Sequence, residues 1–261
     1  MLRVMTFNIR GARFADGENI WPNRAALSAA VIRRHAPDLI GFQEFELPNY
    51  AFLRGQLPGY EHVLGPGYGN APPFQYPAIF WRRDRLRLLD TGGFWLSTTP
   101  AVHSRAWETD CIRSAAWVRL ELRGAGTHLL HLNTHLDHIS ELAREEGAKL
   151  IAARLCDLWA DGAPAVVTGD FNCVPGSPAH ATLLGAGLAD THSAVNSDAG
   201  PVMTFHGFRG RAFQPQWFDA RDRIDWVLAR GLRPVANTIV EDAEPPLYPS
   251  DHYPVVADLV L

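Results

Sequence analysis

Eight short apolar runs punctuate the chain: RVMTFNI, DLIGFQE, AIFW, AAWVRLEL, HLLHLNT, AVVTGDF, RIDWVLA and PVVADLVL. Their brevity and their Val, Ile, Phe and Trp content predict strands. Two stretches have helical spacing instead. Residues 22–35 carry Ala26, Leu27, Ala30, Val31 and Arg34, with Pro22 placed to open the helix and Pro37 to close it. Residues 140–159 repeat Leu142, Leu150, Ile151, Leu155 and Leu158 on one face. The loops GPGYGNAPPFQYP and EDAEPPLYPSD are rich in Gly and Pro. GPGYG lacks the spacing of a G-x-G-x-x-G loop and no helix plainly follows, so it reads as a loop. Many strands, few helices and long loops predict an α+β fold, a two-sheet sandwich covered by helices. Residues 1–261 are expected to form one domain.

The polar residues that interrupt these runs cluster at strand ends. Asn8 closes TFN, and Glu44 closes FQE. Asn133, His135 and Asp137 alternate in HLNTHLD, and so share one face of a strand. Asp170 and Asn172 stand two apart in VVTGDFN. Asp225 lies inside RIDWV, and Asp251 and His252 precede the last strand. Each has an ordinary structural reading, as a turn former, a cap or a core histidine. Together they demand another, because buried polar groups cost several kcal/mol unless satisfied. Oxygen donors without thiolates suit a hard cation, Mg2+ or Mn2+. Glu44 and Asp251 are candidate ligands, with Asn8 as a neutral oxygen ligand or a partner to the ligands. Asp225 is placed to fix the tautomer of His252, and Asp170 to handle a water. The sum is metal-assisted hydrolysis of a phosphoester.

Composition narrows the partners. The 261 residues are 47% hydrophobic and 20% charged, with a net charge of −4. That balance excludes global disorder and a protein that coats nucleic acid or anionic membranes, so phosphate recognition must be local. The start MLRVMTFNIR has no basic stretch followed by an apolar one, and no apolar run approaches a membrane span. Cys111, Cys156 and Cys173 are odd in number and match no zinc or redox spacing, which predicts free thiols in a reducing compartment. The chain is expected in the cytoplasm, as a monomer, away from membranes.

In this order, TFNIR, FQE, NTHLDH, GDFN, RIDWV and SDHYPVV resemble the endonuclease/exonuclease/phosphatase family, from residue 4 to residue 258. NIWPNR, FWLSTTP and TFHGF resemble a bacterial branch of it. The resemblance implies a four-layer α/β/β/α sandwich of two mostly antiparallel sheets flanked by helices. It implies that Asn8 and Glu44 belong to the metal site, with Asp251 nearby. It also implies that Asp170 orients or deprotonates the water, that Asn172 and His135 contact the phosphate, and that His252 with Asp225 completes the pocket. Arg113 and Trp117 match an arginine and a tryptophan usual in the branch. With Asn133 they are the residues expected at the substrate.

Two departures qualify the resemblance. Gln75 stands where the branch usually has a glutamate, and the insertions that wedge abasic-site enzymes into DNA are not evident. The expectation is a phosphodiesterase or nuclease on nucleic acid or short nucleotides, favouring single-stranded or short substrates. A phosphomonoesterase of a small sugar or inositol phosphate is the alternative, and a catalytically silent nucleic-acid or protein binding module the second. Zinc held by His131, His135 and His138 is disfavoured, because alternation places His138 past the face that His131 and His135 share. A serine hydrolase is disfavoured because G-x-S-x-G is absent.

Overall fold

The structure, a computed structural model, describes residues 1–66, 75–158, 162–197, 200, 202–215 and 222–261. Twelve strands are described, in two six-stranded sheets. The first sheet holds β1 (Leu2–Asn8), β2 (Leu39–Gln43), β3 (Tyr60–Val63), β4 (Ile79–Arg82), β11 (Arg233–Ile239) and β12 (Val255–Val260), in the order β11-β12-β1-β2-β4-β3. The second holds β5 (Leu86–Trp95), β6 (Ser114–Leu122), β7 (His128–His135), β8 (Ala165–Asp170), β9 (Ala189–Asp190) and β10 (Asp225–Arg230), in the order β5-β6-β7-β8-β10-β9. Among the described residues only β1–β2 and β7–β8 pair in parallel; the other pairings are antiparallel. The helices are α1 (Trp21–His35), α2 (Leu47–Gln56), α3 (Glu141–Leu158), α4 (Pro178–Gly185) and α5 (Thr191–Val195).

Strand alternation assigns the layers. In β1, Met5 and Phe7 pack under α1 and α2 with Trp21, Ile32 and Leu53. Val4 faces the other way, into the layer between the sheets with Leu39, Val118, Val166 and Val255. In β8, Val167 turns outward onto Ile151 and Leu155 of α3 and Leu183 of α4. Both faces of each central strand are therefore covered, which is why these strands read as continuous apolar runs. The four strands without such a run, β3, β5, β9 and β11, are the edges of the two sheets. There the apolar pattern is diluted by solvent-facing positions, as in β5, where Arg87, Asp90 and Thr91 are exposed.

A polar clamp crosses the inter-sheet layer. Asn133 of β7 donates to the backbone carbonyls of Phe42 (2.7 Å) and Ala78 (3.0 Å) in the opposite sheet. Its Oδ1 accepts from Gln43 Nε2 (2.7 Å) and Thr168 Oγ1 (3.0 Å). The close approach needs glycine at position 41, where a Cβ would stand 2.0 Å from Thr168 Oγ1 and 2.6 Å from Asn133 Oδ1.

Candidate active site

The strand directions deliver the polar ends to one place. β1, β2, β7 and β8 end together, while β10 and β12 run against their neighbours and begin there. The register sets His135 and Asp225 on either side of Asp170. Asn8, His135 and Asp170 occupy the inward positions of their strands, so all three meet at the edge of the inter-sheet layer.

Asp170 is fully buried and heavily hydrogen-bonded. Its Oδ2 accepts from Asn8 Nδ2 (2.9 Å), and its Oδ1 accepts from the Asn172 backbone N–H (3.0 Å). His135 Nε2 lies 3.3 Å and His252 Nε2 3.8 Å from Oδ2. Burial alone would raise this carboxyl, but the imidazoles and the amides hold it below the usual carboxylate range. His135 is itself pushed down by burial and by Arg113, so at neutral pH the cation facing Asp170 is His252.

His252 Nδ1 meets Asp225 Oδ2 at 2.9 Å. Burial opposes the charged imidazole, yet Asp225 and Asp170 outweigh it and lift His252 to about 10. Burial lifts Asp225 as well, to about 6. The charge of the pair sits on the ring, which has two carboxylates against it. Asn172, in a left-handed backbone conformation (φ 50°), sends its amide to His135 Nε2 (3.0 Å) and to the Leu136 carbonyl (3.0 Å).

Beside this cluster lie two more carboxylates, Asp251 buried and Glu44 half-buried. Glu44 also has positive φ (54°), a strained setting for a non-glycine residue that aims the side chain inward. Its Oε1 accepts from Asn8 Nδ2 (3.2 Å) and its Oε2 from the Gly11 N–H (3.2 Å). Arg10 touches both acids, at 3.8 Å from Glu44 and 3.6 Å from Asp251. Burial raises the Asp251 carboxyl, and the charge of Glu44 adds to the rise. Two mutually repelling, all-oxygen donors in a buried setting fit a hard divalent cation. Asn8 Oδ1 accepts from the Arg10 N–H (3.0 Å), and Asn8 Nδ2 sits between Glu44 and Asp170, so the amide orients both carboxylates.

Next to the cluster opens a shallow cleft, lined by Glu44, His135, Arg113, Ser114, Cys111 and Gln75, among others. Gln75 hydrogen-bonds Glu46, whose carboxyl is pushed up by burial. Arg113 Nε and Ser114 Oγ are buried there without a hydrogen-bond partner among the described residues.

Two residues expected at the substrate are placed elsewhere. Asn133 is fully enclosed as the inter-sheet clamp, with every polar atom spent on protein. Trp117 is one position out of phase: Ala116 pairs with Asn133 and points inward, so Trp117 turns to the outer face. There it packs against the α3 side of the core, over Gly92, where a Cβ would stand 2.7 Å from its ring. The three histidines considered for zinc are also separated. His131 is sealed between the sheets on Thr168 (2.7 Å), His135 is in the cluster, and His138 is exposed beyond it. Asp137 anchors a loop. Four loop aromatics able to stack on a base, Tyr68, Phe74, Trp217 and Phe218, lie outside the described residues.

Sequence reasoning missed Arg10 and Arg24. Arg24 is wholly buried and donates to the carbonyls of Asn19, Ile9, Pro249, Arg10 and Gly11, tying the end of β1 to the segment that carries Asp251. Its signal was present in NIWPNR, and that of Arg10 in TFNIR, but neither motif announces a function for the arginine.

A sandwich with carboxylates, amides and a charged imidazole at one end of its strands defines a phosphoester hydrolase fold and site. The profile of the Endonuclease/Exonuclease/phosphatase family matches residues 5–252, and the chain belongs to that family. It is similar to a mannosyl-6-phosphatase of Bacteroides thetaiotaomicron, with 28% identity, a TM-score of 0.89 and all of both chains covered. It is similar to an endonuclease/exonuclease/phosphatase from Bacteroides vulgatus, with 30% identity, a TM-score of 0.88, and 100% of this chain and 98% of that one covered. It is also 26% identical to Nocturnin of Drosophila melanogaster over 92% of its length, while spanning only 42% of that relative. The chain is therefore a phosphoester hydrolase of a family that works with a divalent metal.

Proposed function

We propose that this enzyme removes the phosphoryl group from a small phosphomonoester of the phosphorylated-sugar type. The observation that carries the reading is the wall of the cleft, where Arg113 is the one Lys or Arg among the described lining residues. One guanidinium suits one phosphoryl group. A polynucleotide needs cations at many successive phosphates. The whole-length likeness to a mannosyl-6-phosphatase supports the same choice. This reverses the order in which composition and motifs rank a nuclease and a phosphatase.

The roles follow from the contacts. Asp170, kept ionised, accepts a hydrogen bond from the attacking water and orients it; its depressed pKa makes it a poor acceptor of the proton itself. His252, charged through Asp225, stabilises the negative charge that grows on the phosphoryl oxygens. Asn172 and His135, hydrogen-bonded to each other, add neutral polar groups beside the phosphoryl site, and Arg113 grips the substrate's phosphate from the cleft. Glu44 and Asp251 would hold Mg2+ or Mn2+, with Asn8 and Arg10 fixing their carboxylates. Such an ion, when bound, supplies Lewis-acid charge at the phosphoryl group. Residues 1–261 act in this reading as one unit.

A second reading keeps a short single-stranded nucleic acid as substrate. It is favoured by Phe205, half-buried 5.0 Å from the His252 ring and 5.3 Å from Phe213, which offers a stacking face beside the chemistry. The test is a panel with Mg2+ or Mn2+ containing hexose 6-phosphates, bis-p-nitrophenyl phosphate and short oligonucleotides. Hexose phosphates should give the highest kcat/KM. A tenfold preference for a diester or an oligonucleotide would overturn the proposal.

A further inference from the structure

A second group of metal-binding side chains lies at the mouth of the cleft, on residues no role above uses. Donor atoms of Asp110, Cys111 and His138 all lie within 4.8 Å of one another. Cys111 Sγ is 3.5 Å and His138 Nε2 is 3.8 Å from Asp110 Oδ2. The three are half-buried or exposed, and Cys111 lines the cleft. They come from two segments, 109–111 and 137–140, that one buried carboxylate holds together. Asp137 accepts from Thr109 Oγ1 (2.7 Å), Asp110 N (3.1 Å) and Cys111 N (3.2 Å) on one side. On the other it accepts from Ile139 N (3.0 Å) and Ser140 N (2.7 Å). The cluster is thus set by a side chain that is not part of it, which lowers the ordering cost of binding.

We propose that Asp110, Cys111 and His138 bind a borderline-soft cation of the Zn2+ class, at a site separate from the carboxylate centre. One thiolate, one imidazole and one carboxylate are zinc donors, and three of them leave a fourth position for water. The Glu44–Asp251 pair offers oxygen alone and suits a hard ion, so the two sites divide cations by softness. Two anionic donors neutralise the dication. That matters because the Arg113 guanidinium stands 3.4 Å from His138 Nδ1.

The same contact couples the site to the cleft. In the metal-free ring, Nδ1 accepts from Arg113 and the ring proton is on Nε2. A cation on Nε2 requires that proton to move to Nδ1, while the Cys111 thiol proton is released to solvent. Nδ1 then no longer accepts, and Arg113 is freed from His138. Cation binding at the rim therefore changes how Arg113 meets the substrate, and it acts on KM.

The test uses Co2+ as a spectroscopic stand-in for Zn2+, on the whole chain with excess Mg2+ present. A thiolate-to-cobalt charge-transfer band should appear with one equivalent and be displaced by Zn2+. The carboxylate centre has no sulfur and cannot produce it. Cys111→Ser should abolish the band, His138→Gln should weaken binding at least tenfold, and Cys156→Ser should leave it intact. No band in the native protein, or a band that survives Cys111→Ser, overturns the site. Stoichiometric Zn2+ should shift KM at least threefold in the native protein and not in His138→Gln. An unchanged KM in the native protein refutes the coupling to Arg113. Because the band is read without turnover, it stands or falls separately from the choice of substrate.

Discussion

Asp170 shows how far a buried carboxylate depends on its neighbours. Replaced by Asn, it keeps its shape but loses the charge that orients water and pairs with His252. Asp170→Asn, His252→Ala and Glu44→Ala should each lower kcat by roughly a hundredfold or more. Circular dichroism should show an unchanged fold, and near-native turnover in Asp170→Asn would remove Asp170 from its assigned role. The His252–Asp225 pair predicts a pH profile. His252 is raised to about 10 mainly against burial by Asp225, so it stays charged through neutral pH and activity falls only as alkali discharges it. Asp225→Asn removes the leading partner, His252 falls back towards its ordinary value, and the alkaline limb of kcat/KM should move to lower pH. A limb that stays in place would assign it to another group. Gln75→Glu should cost far less than any of these, since Gln75 touches Glu46 and not Asp170.

The elements meet through few but close contacts, and these set the distance between the sheets. Gly41→Ala would drive a methyl group into Thr168 and Asn133, both on the facing sheet. Overpacking of this kind costs about 1–3 kcal/mol, or more where backbone must shift. Asn133→Ala removes four buried hydrogen bonds, to Gln43, Thr168 and the carbonyls of Phe42 and Ala78, at about 0.5–1.5 kcal/mol each. For a chain near this size each kcal/mol lowers Tm by about 2–4 °C. Both variants should melt clearly earlier while retaining native KM below their transitions. A large KM change with an unchanged Tm would return Asn133 to the substrate.

For the molecule as a whole, the balance of charge decides what can bind. Net charge −4 and a single guanidinium on the described cleft wall predict weak dependence on salt. With catalysis blocked by Asp170→Asn, log–log plots for a short single strand should have a slope near that for one or two phosphates, about 0.7 each. A slope fit for six, with tight duplex binding, would favour a nuclease. Activity should vanish with EDTA and return with Mg2+ or Mn2+; full activity in protein shown to be metal-free would exclude the cation from the reaction. Among the described residues no helix is long and apolar enough to cross a membrane.

Much of this was legible in the chain because covered central strands must be apolar throughout. That constraint wrote eight strands, α1 and α3 directly into the pattern, and any polar group at their ends stood out against it. Asn8, Glu44, His135, Asp170, Asn172, Asp225, Asp251 and His252 were singled out in this way. The edge strands and α2, α4 and α5 were not, since partial exposure leaves no clean period. Alternation says that Asn133 and His135 share a face, but not where along the strand the cleft ends. Two strand positions separate the buried Asn133 from His135 in the polar cluster, and only the packing of β2 against β7 decides it. Register likewise decided that Trp117 turns to the outer layer. The meeting of Asp110 and Cys111 with His138 has no signature at all, because β6 and β7 separate the two segments along the chain and only the fold, with Asp137 bridging them, brings them together.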